Sequence, residues 1–178
     1  MQVPMPDLSS ERIFPGGIKS RHCLSRQERV NRLRGEKDMK ITPTLNFGGT
    51  CREAVQMYER ALDGKITCLI TYREANDPAY MPLLNEEQKE YIYHAELMLG
   101  NERIIMSDNV DIEMPVCHSN FLTIMCDTKE EVQRAYETMK EGSKTIYKME
   151  ATPYSSCRVV FIDKFGIRWG IMTEQTER

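Results

Sequence analysis

The 178-residue chain lacks most of the signals that announce a special environment. Its longest apolar runs are of the length of Val159-Val160-Phe161-Ile162, far below the roughly 20 residues that cross a bilayer, so no membrane span is predicted. Neither charge sign dominates: 24 basic against 27 acidic residues give −3, and no compact Lys/Arg stripe with interleaved aromatics appears. That sets nucleic acid aside as a partner. Cys23, Cys51, Cys68, Cys117, Cys126 and Cys157 stand singly, without the short paired spacings of zinc sites and with no secretory leader before them. They read as reduced, mostly buried thiols of a cytoplasmic protein. Aromatics make up 8% of the chain, and histidines are three in all.

What is present suits one globular domain or two small ones, with 40% hydrophobic residues. A chain of this length buries roughly two-thirds of its unfolded surface, so a core forms without disulfides or metal. Residues 1–38 differ from the rest. Eight basic and five acidic residues leave them at +3, against 16 and 22, or −6, in residues 39–178. Pro4, Pro6, Pro15 and Gly16-Gly17 interrupt them, and they are expected to be a loosely attached leader. Their acidic residues and lack of an amphipathic face argue against a targeting sequence.

From Met39 the pattern becomes regular. Ile41, Leu45 and Phe47 alternate as in a strand, and a helix opens at Thr50 with Ala54, Val55, Tyr58, Ala61 and Leu62 on one face. Strands are predicted over 65–73, with Ile66, Cys68, Ile70 and Tyr72 sharing a side, over 91–99, and over 102–107 after a tight Gly100-Asn101 turn. The order β-α-β-β-β then recurs: a strand over 121–126, a helix over 128–141 with Val132, Ala135, Tyr136 and Met139 inward, and strands near 145–149, 158–163 and 167–173. At an offset of 78, Thr50, Glu53, Tyr58, Glu59 and Gly64 match Thr128, Glu131, Tyr136, Glu137 and Gly142. Thr followed three residues later by Glu is a capping box, and Gly supplies a left-handed stop. The chain reads as a duplication, with module 1 over 39–110 and module 2 over 118–174. A half of about 65 residues covers only one face of its sheet with its helix, so the predicted α+β fold pairs two βαβββ modules, one helix in each, into a curved eight-stranded cup. Shielded inner walls of that kind hold small molecules.

The stretches TPTLNFGGTCREAVQMYERAL, YHAELMLGNERIIMSDN and SSCRVVFIDKFGIRWGIMTE resemble the PhnB-like branch of the vicinal oxygen chelate superfamily, relatives of glyoxalase I, bleomycin-resistance proteins and extradiol dioxygenases, over residues 39–174. The resemblance implies paired βαβββ modules, usually assembled as a homodimer, with one cavity per module pair. In metal-using relatives, side chains on four strands bind a divalent ion that polarises adjacent substrate oxygens. Those positions fall here on Thr42 or Pro43, on Met106 and Ser107, on Asn120 or Phe121, and on Gly170. Outside the leader only His94 and His118 are available, so no catalytic metal and no cofactor are expected. Members often carry the name demethylubiquinone methyltransferase. No parallel βαβ unit with a Gly-rich phosphate turn supports methyl transfer from S-adenosylmethionine here.

Six residues are candidates for lining the cup. His94 and Glu96 share one strand face opposite Leu97 and Leu99, as general base and orienting partner or as a structural pair. Arg168, on a face with Gly170 and Met172, binds an anionic oxygen or pairs with a carboxylate such as Glu96. Asn46 bonds into the pocket or caps its turn, Ser107 follows on the fourth strand, and Tyr154 borders the opening. Trp169 faces the helix as core. The long 74–90 connection offers Tyr80 and Met81 as the tip of a lid or a partner contact. Cys117-His118 is no nucleophile–base pair, because neighbours on an extended segment point apart.

Three functions fit this reading: a metal-independent small-molecule protein of unassigned activity, a divalent-metal-dependent lyase, isomerase or dioxygenase, and a scaffold whose cup is packed shut by Met98, Met106, Met125 and Phe121. One expectation concerns translation. Gly35-Glu36-Lys37-Asp38 can be encoded by a purine-rich run resembling a ribosome-binding site immediately before Met39. Intact mass of the protein from its natural host should correspond to a start at Met39; a chain retaining residues 1–38 would refute this.

Overall fold

The computed structural model describes residues 41–110 and 120–174. The expected leader, residues 1–38, lies outside the described residues, as do Met39, Cys117 and His118. Module 1 comprises β1 (Thr44–Phe47), α1 (Cys51–Ala61), β2 (Lys65–Thr71), a one-turn α2 (Tyr72–Ala75), β3 (Ile92–Leu99) and β4 (Glu102–Asp108). Module 2 comprises β5 (Leu122–Cys126), α3 (Lys129–Met139), β6 (Lys144–Thr152), β7 (Ser155–Ile162) and β8 (Arg168–Thr173). Each makes its own four-stranded sheet, in the orders β1-β4-β3-β2 and β5-β8-β7-β6. In both, the first strand runs parallel to the last and the other pairs are antiparallel. The paired βαβββ modules are present, as two sheets and not as one closed barrel. No helix among the described residues is long and apolar enough to cross a membrane.

The matching helices end differently. Thr128 and Glu131 form the expected capping box on α3. Thr50 makes no side-chain cap; the backbone N–H groups of Gly49 and Cys51 donate instead to Asp108 Oδ1, at 2.7 and 3.0 Å. A carboxylate at that end satisfies the orphan amides and suits the positive end of the helix dipole. Gly49 has φ +98°, and a Cβ there would lie 2.6 Å from the Tyr91 ring. At the far end of α1 the left-handed residue is Asp63, not Gly64. Gly64 is needed for space, since a Cβ would come within 2.8 Å of Leu97 and 2.9 Å of Leu99.

Two further expectations are corrected. β2 ends at Thr71, whose hydroxyl and Glu74 form a capping box that opens α2, so module 1 carries an additional helical turn. A bulge between Ile66 and Cys68 also breaks the predicted common face: Ile66 opposes Leu97 on the buried side, whereas Cys68 and Ile70 oppose Glu96 and His94.

The core lies between the sheets' helix-bearing faces and is shared by the modules. Ala54, Val55 and Tyr58 of α1, Val132 and Met139 of α3, Leu97 and Met106 of sheet 1, and Phe161, Trp169 and Ile171 of sheet 2 belong to one cluster. Tyr58 crosses from module 1 and packs its ring 4.9 Å from Trp169. Its hydroxyl donates to Asp163 Oδ2 at 2.6 Å, and Trp169 Nε1 donates to the same oxygen at 2.8 Å. Asp163 Oδ1 accepts the backbone N–H groups of Phe165 and Ile167, both at 2.9 Å. Every carboxylate oxygen is thus satisfied although Asp163 is buried.

Burial, first, and the Asp163 charge push the Tyr58 phenol far above its ordinary value of 10.0. Above that pH the unfolded chain gives up the phenol proton and the folded chain keeps it, so this group's contribution is complete below about pH 10 and shrinks as pH rises. Tyr58→Phe should cost about 1.5–3 kcal/mol in urea unfolding at neutral pH. Above about pH 10 its stability should fall less steeply than that of the parent, by about 1.4 kcal/mol per pH unit. Identical alkaline slopes would contradict this account.

Candidate functional site

Strand alternation divides each sheet into a helix-bearing face and a helix-free one. On sheet 1, Ala95, Leu97, Met106 and Phe47 are buried against the helices. His94, Glu96, Ser107, Asn46 and Thr44 therefore share the helix-free face. His94 Nε2 lies 3.3 Å from Glu96 Oε1, and Arg103 Nη1 donates to that same oxygen at 2.9 Å. Glu96 thus pairs with Arg103, which follows from the hairpin register, and not with Arg168. Ser107 donates to Asn46 Oδ1 at 2.8 Å, joining β4 to β1. The structure brings four of the six candidate residues into this one polar band. His94 and Glu96 remain 34% and 23% exposed, so a ligand can reach both.

On sheet 2, Trp169 faces the helices and Arg168, Gly170 and Met172 face away. The Arg168 guanidinium lies 4.8 Å over the Phe121 ring. Both line a cleft of about 260 Å³ where β1 meets β5, walled also by Thr44, Leu45, Asn120 and Ile167. Thr44 belongs to the helix-free face that carries Asn46, so cleft and polar band adjoin. Tyr154 sits at the β6–β7 turn with its ring 5.8 Å from the Arg158 guanidinium.

The 74–90 connection is folded upon itself. Arg73 pairs with Glu86 and Glu90, and Lys89 with Glu86. Tyr80 packs edgewise on Tyr72 and Tyr93, with ring centroids 5.6 and 6.3 Å away, and Tyr93 donates to Asp77 at 3.1 Å. Met81 beside it is half-buried. Met106, weighed as a filler of the cup, faces the core and is fully buried.

The residues at the positions where the resemblance implies a divalent ion in metal-using relatives do not fit one. A Cβ at Gly170 would meet the Phe121 ring at 3.1 Å, so a ring stands where a metal-binding carboxylate would project. Among the described residues no three His, Cys, Asp or Glu side chains are placed to hold an ion.

Sequence reasoning missed Arg103, Arg158 and Tyr147. The first is visible once β3 and β4 are paired across Gly100-Asn101. The others depend on the β6 bulges between Thr145 and Glu150, which no local pattern marks.

Comparison with known proteins places this geometry. The family described as 3-demethylubiquinone-9 3-methyltransferase matches residues 39–172. Protein YjdN of Escherichia coli K12 is 27% identical over 142 residues, covering 75% of this chain and 94% of YjdN. The crystal structure of PA1353 from Pseudomonas aeruginosa is 26% identical, with TM-score 0.67 over 78% of this chain and 99% of that one. A PhnB protein from Bacillus cereus, described as a putative 3-demethylubiquinone-9 3-methyltransferase, shares the fold at 20% identity and TM-score 0.60, over 76% and 99% of the two chains. A glyoxylase/bleomycin resistance protein/dioxygenase domain from Frankia sp. EAN1pec shares the fold at 11% identity and TM-score 0.54, over 80% and 96% of the two chains.

The cysteines report on this geometry. Cys51 is fully buried, and burial followed by the Asp108 charge pushes its thiol far up; burial raises Cys126 to about 11. Cys68 lies half-exposed on the helix-free face opposite Glu96. Peptide mapping after iodoacetamide at about pH 8 should find Cys68 modified well before Cys51 and Cys126, with the difference abolished in denaturant. Equal labelling of Cys51 in the folded protein would be inconsistent with this packing.

Proposed function

We propose, from the premise that this chain belongs to the 3-demethylubiquinone-9 3-methyltransferase family, that it binds a small molecule without a metal ion, and that methyl transfer from S-adenosylmethionine is not its activity. The observation that carries the reading is the cleft between β1 and β5. Its wall is mostly apolar, from Leu45, Phe121 and Ile167, with Thr44, Asn120 and Arg168 as polar points. Few polar groups in an apolar wall is the usual make-up of a ligand site, and about 260 Å³, just under the usual range of such volumes, suits a small ligand. The adjoining band gives the ligand His94 and Glu96 as an acid–base pair, Asn46 and Ser107 as hydrogen-bonding partners. Tyr80 and Met81 are assigned to the rim in the same reading, whereas Tyr154, beside Arg158 at the opposite end of sheet 2 from Arg168, is not.

Methyl transfer is disfavoured by topology. The parallel pairs of the described residues, β1–β4 and β5–β8, close each module on itself. A nucleotide-type site needs a strand, a Gly-rich turn and a helix leading to the neighbouring parallel strand. A homodimer, which the resemblance implies, and a cytoplasmic location, which the singly placed cysteines suggest, belong to the same proposal.

Native mass spectrometry of protein from its own host tests the reading. A retained organic molecule without metal is expected, and Thr44→Trp, which fills the cleft from an exposed position, should abolish it. An unchanged ligand load in that variant, or a stoichiometric divalent metal, would defeat the proposal; the metal would favour the lyase, isomerase or dioxygenase class.

A further inference from the structure

We propose that the helix-free face of sheet 2 carries a carboxylate-binding site centred on Arg158, for a small organic acid with an apolar body. Arg158 lies on that face with Met172 opposite it on β8 and Glu150 opposite it on β6. The guanidinium carbon is 5.2 Å from the Tyr147 ring centroid and 5.8 Å from that of Tyr154. Both distances are within the range of cation–π attraction. The two rings are 51% and 52% exposed, so they are spent on holding the guanidinium and not on filling the core.

Rings against a guanidinium leave its N–H donors pointing outward in its own plane. A planar acceptor with two oxygens at carboxylate spacing satisfies a fork so presented. The Arg158 side chain makes no hydrogen bond or ion pair with the described residues, and the side chain of Glu150, its exposed register partner, is not bonded to it. The guanidinium is half-buried, yet none of its nitrogens is among the buried unpartnered atoms, so the fork stays accessible to an arriving anion. Next to it Met172 and the exposed Met125 continue the same cross-strand row, giving an apolar body a surface to lie on.

The site goes beyond the cleft reading and does not need it. Along β7, Arg158 lies four residues from Ile162, the partner of Arg168, or about 13 Å at the usual rise per residue.

Calorimetric titration with benzoate and with its neutral analogue benzamide tests the assignment. Benzoate should bind more tightly than benzamide. Arg158→Gln should weaken benzoate by about tenfold to a hundredfold and leave benzamide unaffected. Arg158→Lys, which keeps charge and stem but loses the fork, should fall between, and serves if the glutamine variant does not fold. Glu150→Gln should tighten benzoate by removing the nearest competing carboxylate. With the cleft filled by Thr44→Trp, benzoate should still bind, which separates this site from the cleft. Equal affinity for benzoate and benzamide, indifference to Arg158→Gln, or conversion of a dimer to monomers by Arg158→Gln would overturn the proposal. The last would make Arg158 a subunit contact.

Discussion

Four donors converge on the buried Asp163 carboxylate, and they come from three directions: Tyr58 from the first module, Trp169 from the neighbouring strand, and the Phe165 and Ile167 amides from the loop between β7 and β8. A buried charge is tolerated only when its acceptors are filled, so the loop cannot relax without leaving the carboxylate bare. Nor can α1 withdraw, because its tyrosine supplies one of the bonds. The exposed pairs Arg134–Asp63 and Lys164–Glu53 run across the same junction and add little by comparison. The same loop carries Gly166 and Ile167 to the cleft wall, so the carboxylate that joins the halves also shapes the candidate site.

Sharing one core between two helix-bearing faces leaves two faces without helices. Those faces hold the polar residues that the core has no use for. On sheet 1 they form two hydrogen-bonded groups, Asn46–Ser107 and His94–Glu96–Arg103; on sheet 2 arginines lie on aromatic rings. The division follows from strand alternation alone: whatever faces away from Leu97 or Trp169 is offered to solvent or to a ligand.

The duplication was legible because it rests on local rules repeated at a fixed offset, and the placement of His94 and Glu96 because they alternate with the buried Ala95 and Leu97. Arg168 and Trp169 separated in the same way. What could not be read was set by distant partners. Thr50 and Glu53 have the spacing of a capping box, yet Asp108, 58 residues after Thr50 in the chain, takes over that end of the helix. Glu96 has two arginines within plausible reach, and only the hairpin register chooses Arg103. The bulge that turns Ile66 and Cys68 to opposite faces leaves no compositional trace, and the β6 bulges that bring Tyr147 beside Arg158 leave none either.

Each sheet forms its ladders within its own module, and no ladder joins the edge strands β1 and β5 among the described residues. The seam between them is therefore gauged by side chains, not by the fixed spacing of paired strands. A family built this way can widen or narrow its mouth by exchanging one or two bulky groups, leaving both halves intact. Diversification of what such a framework admits then needs no new fold, only a different shim at the joint.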